Sequence, residues 1–498
     1  MNRIWVAKPY IFTLAYIAGE MQSNQIPKTQ LIIGLIAVAA GFWLFNPFPL
    51  YFLNDDFIHI PLSKQGKWFQ RNSFRPVCDL SIAIDYVVWG KTAWGYHLTN
   101  LLIHVCNVGL VYILAFRLFK RYSKEKGKWL SWFAAVLFFI YPFHSESIYW
   151  IIGRSASLGA LFFLPAVIFY LQRNEHVFYI LLSAVFFAMG LLTYESVWIF
   201  PLVAVGLSWL DKKSYRYEFN KEAKYVLILA GIFVLFLVIK IALIGQVVGI
   251  YEANSFIHFN VKELLLNWLR LYTRSFAPPS VSTVTFIFSS IVLLLLTILA
   301  LLIFKNKRLL YFLLVVLAIS LLPYLSLGID THGVEGERYL YLPSIFVCIM
   351  AMYLITLVSK KLNVRLLIFV ALSGSSILFL FKSRAQYVAA SNISKTTIQA
   401  IEQIKNKQRL FIDSLPQEVN GALVFRLGFY EALQWMKPGK PFKNIFVTSV
   451  KENVADWNKH YKIMSPDTSA VRNMQISGYN NQTDALIKFS ALGLVVVK

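Results

Sequence analysis

Long apolar runs separated by short polar links repeat along residues 29–382, and the pattern then stops. A run of about 20 apolar residues suffices for a helix to cross a bilayer. The runs predict spans near 31–51, 97–119, 129–143, 155–171, 176–193, 195–210, 225–245, 283–304, 309–328, 339–358 and 363–382, about eleven helices in all. Residues 1–28 carry Lys8 and Pro9 inside their apolar stretch, with Trp5 and Tyr10 nearby. They read as an interfacial segment rather than a cleaved signal peptide. The segment 263–280 holds Arg270 and Arg274 one helical turn apart and ends in Pro278-Pro279, which suits an amphipathic surface helix better than a span.

Beyond 382 the composition turns to mixed polar residues with short strand-like runs such as Arg-Leu-Phe-Ile-Asp and Gly-Leu-Val-Val-Val. Residues 383–498 therefore read as a small soluble α/β domain. The predicted architecture is an all-α polytopic membrane protein with that domain appended.

Orientation follows from the basic links. Lys120, Arg121, Lys124, Lys126 and Lys128 form one, and others begin at Lys212, Lys305 and Lys360. All fall on one side if 263–280 does not cross, and basic links mark the cytoplasmic side. The outer loop 52–96, the links 142–154 and 329–338, and residues 383–498 then share the opposite side.

Composition agrees with a membrane protein. The chain is 57% hydrophobic and only 15% charged, with mean hydropathy +0.58, whereas soluble domains average about 25% charged. The net charge of +23 belongs to the short links, so no nucleic-acid partner is inferred from it. Cys78, Cys106 and Cys348 form no disulfide framework. No phosphate loop, zinc motif or nucleophile elbow is present.

Candidate chemistry gathers on the outer side. The first run ends in Leu-Asn-Asp-Asp-Phe, placing Asp55 and Asp56 side by side at the membrane surface. Such a pair suits general-base or metal chemistry, or else a helix cap. Arg75 lies further along this loop. His97, Asn100, His104 and Asn107 follow on one helical face. For the deeper His104 and Asn107, interhelical hydrogen bonding is an equal alternative. The next link holds His144, Glu146 and Arg154, the first two being candidate ligands of a divalent metal ion or partners of a sugar hydroxyl, or equally a helix terminus with its caps. Glu195 opens another span and Arg338 a later one, where a guanidinium suits a phosphate. Lys240 lies deep in an aliphatic run, either snorkelling outward or pairing with an anion.

The string Phe-Arg-Pro-Val, followed by Trp-Gly-Tyr-His-Leu-Thr-Asn-Leu-Leu-Ile-His, resembles the first-loop signature of the GT-C membrane glycosyltransferases. It is most like that of the transmembrane O-mannosyltransferases with tetratricopeptide repeats and their bacterial relatives. Tyr-Pro-Phe-His-Ser-Glu-Ser with the later Gly-Arg is similar to their second-loop motif, and Glu-Arg-Tyr-Leu-Tyr-Leu-Pro-Ser to their late arginine motif. The resemblance spans roughly residues 50–345. Residues 383–498 show no tetratricopeptide period, so acceptor recognition does not carry over.

The resemblance implies transfer of a sugar, a hexose such as mannose, from a polyprenyl-phosphate carrier to a protein or glycan acceptor. The reaction would occur on the non-cytoplasmic face of a bacterial inner membrane. It implies Asp55 or Asp56 as the base, with Asp56 favoured because Asp55 is placed to cap or bind metal. Arg338 would hold the phosphate, with Arg270, Arg274 and Lys240 as weaker candidates. Arg75, His97, Asn100, Arg154 and Glu195 would line the donor site. Single displacement would invert the anomeric centre. Two other classes compete: a transporter or flippase of lipid-linked sugars, and a membrane anchor for a glycan- or partner-binding domain. Internal repeats would mark the first, and none is evident.

Overall fold

The computed structural model describes residues 39–67, 74–123, 127–212, 218–245, 260–280, 282–304, 307–404, 407–413, 415–436, 444–447, 462–463, 482, 484–489 and 495–497. The expected interfacial segment 1–28 and the start of the first span lie outside them. Compactness divides the chain after Asn46, and residues 47–498, C-terminal strands included, form one unit. In the first unit the described helix covers 39–45 and stops at Asn46, whose φ is +26°. The expected span 31–51 thus ends earlier, because Pro47 and Pro49 follow at once.

The second unit opens with two short helices of the outer loop, α1 (Asp56–Lys64) and α2 (Pro76–Trp89). Helices then follow at every expected span: α3 (Ala93–Tyr122), α4 (Gly127–Phe139), the short α5 (Ser145–Tyr149), α6 (Arg154–Tyr170), α7 (Val177–Leu191), α8 (Phe200–Asp211) and α9 (Phe219–Ile244). Next come α10 (Val261–Arg274), α11 (Thr283–Ile303), α12 (Arg308–Ser320), α13 (Tyr341–Val358) and α14 (Leu362–Gln403). Among the described residues, five helices are long and apolar enough to cross a membrane, or six if the bent pair around residues 142–170 is one span. Large apolar side chains on α11 face outward, Val284 being 76% and Phe288 67% exposed. Such a surface is stable in lipid and costly in water.

One helix differs from expectation in a way that matters. The sequence places a domain boundary at 382, yet α14 runs unbroken to Gln403. Residues 375–403 contain neither Gly nor Pro, so nothing ends the helix where hydrophobicity ends. Its extension buries Ser383, Tyr387, Ser391 and Ser394, and the Ser394 hydroxyl donates to the Phe52 carbonyl at 2.7 Å. The helix therefore ties the membrane part to the outer loop.

After α14 come β1 (Arg409–Asp413), the hairpin β2 (Glu418–Val419) and β3 (Ala422–Leu423), α15 (Phe429–Met436), β4 (Asn444–Val447), β5 (Lys462–Ile463), β6 (Asp484–Phe489) and β7 (Val495–Val497). The main sheet has the order β5-β4-β1-β6-β7. Its central strands are parallel and β7 is antiparallel to β6. Leu410, Ile412, Leu486 and Ile487 are fully buried in it, as the apolar runs of a covered parallel sheet require.

Candidate active site

The acidic turn is built by Asn54, which adopts φ +48°, a left-handed conformation that Asn tolerates better than most residues. The chain reverses there and α1 starts directly afterwards. Asp56 is wholly buried. Its Oδ2 accepts from the Leu53 amide at 2.9 Å and its Oδ1 from the Ile152 amide at 3.1 Å. Burial pushes its carboxyl well above the ordinary range, and the neighbouring Asp55 adds to this. The two amides and Arg154 oppose the shift. Asp55 is different. It stands at the N-cap position with no side-chain capping bond. Its side chain is 16% exposed, with Oδ2 3.5 Å from His59 Nε2. Its Oδ1 is buried without a hydrogen-bond partner. The sequence favours Asp56 as base, whereas the geometry makes Asp56 the anchor of the turn and leaves Asp55 with acceptor capacity.

The Ile152 bond brings the second motif to the first. Pro142 ends α4, and the link turns through α5 before α6 begins at Arg154. Gly153 lies against the Glu146 carbonyl so closely that no Cβ would fit, which is the local reason for Gly before Arg154. Glu146 is buried and accepts from both the Arg338 guanidinium and the Arg338 amide, the latter at 2.9 Å. Gly336, at φ +87°, turns the late loop so that Glu337 points inward. There Glu337 pairs with Arg274 at 2.7 Å and accepts from the Ser145 hydroxyl. Arg338 remains 17% exposed, its guanidinium over the rings of Trp150 and Tyr339.

A second charged group adjoins the first. Arg75 bonds Glu195 through Nε at 3.1 Å and Nη2 at 2.8 Å, and lies over the Tyr194 ring. Burial pushes Glu195 up, but Arg75 and Lys240 outweigh it and hold the carboxyl below its ordinary value. Lys240 sits over Trp198. Burial pushes the Tyr194 phenol up to about 12, while the charges of Arg338 and Arg75 both pull it down. Tyr324 stacks on Tyr339 and approaches Tyr194, completing an aromatic strip.

Other residues expected at a donor site are engaged within the fold. Arg154 has no exposed surface. It donates to Asn100 Oδ1 at 2.7 Å, to Asp85 Oδ2 at 2.5 Å and to the Tyr96 carbonyl at 3.0 Å. Arg274 is equally buried and reaches the carbonyls of Asp330 and Ala277 besides Glu337. Both arginines hold the scaffold beneath the site. Asn100 also donates to the Trp150 carbonyl, and buried His97 contacts the Tyr51 carbonyl at 3.3 Å. His104 and Asn107 meet Tyr341, the interhelical alternative for them. Arg270 is exposed and bonds Asn267.

His144 and Glu146 do not fit a metal pair. Glu146 is taken by Arg338, and His144 Nε2 lies 2.7 Å from the Ser344 hydroxyl. Among the described residues, no three His, Cys, Asp or Glu side chains converge as ligands. Sequence reasoning passed over Asp85, Asn54 and Glu335. Only the positive φ of Asn54 had a sequence signal, the Asn before two acids.

The architecture defines a polytopic helical protein whose polar groups collect around one acidic turn and one arginine turn. No family model matches the chain. It is similar to the mouse protein O-mannosyl-transferase TMTC2, 32% identical over 131 residues, covering 26% of this chain and 14% of that protein. The human TMTC2 protein gives 31% over 128 residues, 26% of this chain and 14% of that one. A longer match, to the Caenorhabditis elegans protein O-mannosyl-transferase F38B6.6, is 23% identical over 322 residues, 59% of this chain and 43% of that protein. The chain thus spans less than half the length of the curated relatives it matches, 14–43% of those named, and the resemblance read from the motifs is to these proteins. Among solved structures, ArnT from Cupriavidus metallidurans bound to undecaprenyl phosphate aligns at TM-score 0.45 and 9% identity over 93% of each chain.

Proposed function

We propose that this protein is a GT-C-type membrane glycosyltransferase. It moves a hexose, mannose by similarity to its named relatives, from a polyprenyl-phosphate donor to a hydroxyl of a protein or glycan acceptor. The work is done on the non-cytoplasmic face of the plasma membrane, the side opposite the basic links. The observation that carries this reading is the contrast within the acidic pair. Asp55 keeps a buried carboxylate oxygen without a partner, one hydrogen-bonded residue away from the link that holds Arg338.

The chemistry is a single displacement. Asp55 accepts the proton of the acceptor hydroxyl as its oxygen bonds to the anomeric carbon, and the bond from that carbon to the phosphate oxygen breaks. The phosphate leaves as an anion, so it needs electrostatic support rather than a proton. Arg338 and Arg75, with Lys240 behind, supply that support, and the rings of Trp150, Tyr339 and Tyr194 hold the guanidiniums in place. Inversion follows from single displacement. No step is routed through a metal ion.

The test is transfer of labelled mannose from a polyprenyl-phosphate donor to a hydroxyl-bearing peptide by the full chain in lipid nanodiscs. Wild type is expected to transfer. Asp55→Asn is expected to fold and to lose about 10²–10⁴-fold in rate, the usual worth of a general base. Full activity in Asp55→Asn removes the base assignment. Movement of lipid-linked sugar across vesicles without transfer replaces the enzyme by a transporter.

A further inference from the structure

The segment 418–428 touches both turns that carry the site. At one end it holds the acidic turn. The Asn54 amide donates to the Val424 carbonyl at 2.7 Å, and Asn54 Oδ1 accepts from the Leu427 amide at 2.7 Å. Gly428, at φ +77°, packs on the Asn54 carbonyl with no room for a Cβ. Phe425 stacks on Phe57 in the first turn of α1. Asn54 therefore uses both its backbone and its side chain on this one segment, and the residue after it is Asp55.

At the other end the segment holds the arginine turn. Arg426 pairs with Glu335 through two bonds, at 2.7 and 3.1 Å, and with Glu418 at 2.5 Å. The Val334 amide donates to the Asn420 carbonyl at 3.2 Å, and the Val334 carbonyl accepts from the Glu337 amide at 3.3 Å. Gly421 and Gly333 let the two backbones meet where side chains would collide. The residue after Glu337 is Arg338. Val424 and Phe425 are fully buried, so the segment is rigidly seated between the two turns.

We infer that residues 418–428 are a clamp that fixes the spacing between the Asp55 turn and the Arg338 turn, with Asn54, Arg426 and Gly428 as its positioning residues. The functional half of this inference rests on the proposed glycosyl transfer. Base and phosphate-binding cation come from loops separated by most of the chain, and each is also tied to the 142–154 link, through Asp56 to Ile152 and through Arg338 to Glu146. Transfer requires them on opposite sides of one anomeric carbon. An error of about 1 Å in such an arrangement costs on the order of 10²-fold in rate. A clamp outside the membrane part adjusts that spacing without touching the substrate.

The experiment uses the full chain in nanodiscs with Gly428→Ala, Arg426→Ala and Arg426→Lys. Amide hydrogen exchange is read over 52–60 and 330–340, and kcat and donor KM are measured with a polyprenyl-phosphate hexose. The clamp predicts faster exchange in both turns for Gly428→Ala and Arg426→Ala. It predicts kcat down about 10–100-fold with donor KM within about two-fold, and recovery of most activity in Arg426→Lys. Exchange confined to 418–428 with both turns still protected overturns it, as does wild-type kcat in both Ala variants. A wild type that transfers no sugar refutes the proposed function instead, and the exchange result alone then decides whether the segment couples the two turns.

Discussion

The two ends of α6 carry contrasting polar clusters. Just beyond its C-terminus, Arg173 is buried against Asp211 at 3.0 Å and Glu222 at 2.7 Å. Arg121 and Tyr122 also bond Asp211, and Ser208 and Asn174 bond Glu222, so all four carboxylate oxygens have partners. Two arginines balance two acids. Near its N-terminus, Arg154 is saturated in the same way, but the acidic turn it helps to hold is not. Asp55 keeps an oxygen without a partner, and Arg338 and Glu195 remain partly open to solvent. A closed network specifies one packing of helices. An incomplete one, retained at a desolvation cost, is where a ligand can complete the bonding.

The widest break of that contrast lies at the closed end. Arg173→Met leaves two carboxylates short of a buried partner and is expected to cost about 3–5 kcal/mol of stability, as for a broken buried pair. Thermal unfolding in detergent checks this. Protein that survives should transfer sugar at the wild-type rate, unlike Asp55→Asn, which should unfold normally and be inactive. If the two variants fail in the same way, the division into closed and open clusters is wrong.

Arg338→Ala sharpens the comparison next. Loss of a charge-assisted contact to phosphate is expected to weaken donor binding about 10–100-fold, near 1.5–3 kcal/mol. Lys307→Ala, at the opposite end of α12, should leave affinity unchanged. Equal affinity in both variants argues against a phosphate at Arg338.

The smallest effect concerns pH. The folded carboxyl of Glu195 lies below its ordinary 4.5, so its contribution to stability is complete above about that pH and is lost as pH falls through the folded value. The Arg75 pair is partly exposed, at 25% and 17%, so about 1 kcal/mol is expected. The melting temperature gap between wild type and Glu195→Gln should be widest at neutral pH and narrow below 4.5. A gap independent of pH removes the ion pair as its cause.

Much of this was legible along the chain. Apolar run length fixed where the helices lie, because a helix in lipid satisfies its own backbone and needs only sequence-local information. The expected span 129–143 ran past Phe139, where the helix ends just before Pro142. The motif residues did gather around one region, since links at one end of packed helices must be neighbours. The roles within that region were not legible. Asp55 and Asp56 are adjacent and chemically identical in sequence. They differ only because the Ile152 and Leu53 amides bond Asp56. Arg154 and Arg338 both follow a small or acidic residue at a helix start, yet one meets Asp85 and the other stays near the surface. The helix that continues past 382 to Gln403 was not legible, because hydrophobicity reports the solvent around a helix and not its end. The clasp of Asn54 by Val424 and Leu427 joins residues far apart in the chain. Pairing at that distance leaves no local pattern, so which carboxylate is held and which is left with an open oxygen was decided only by tertiary packing.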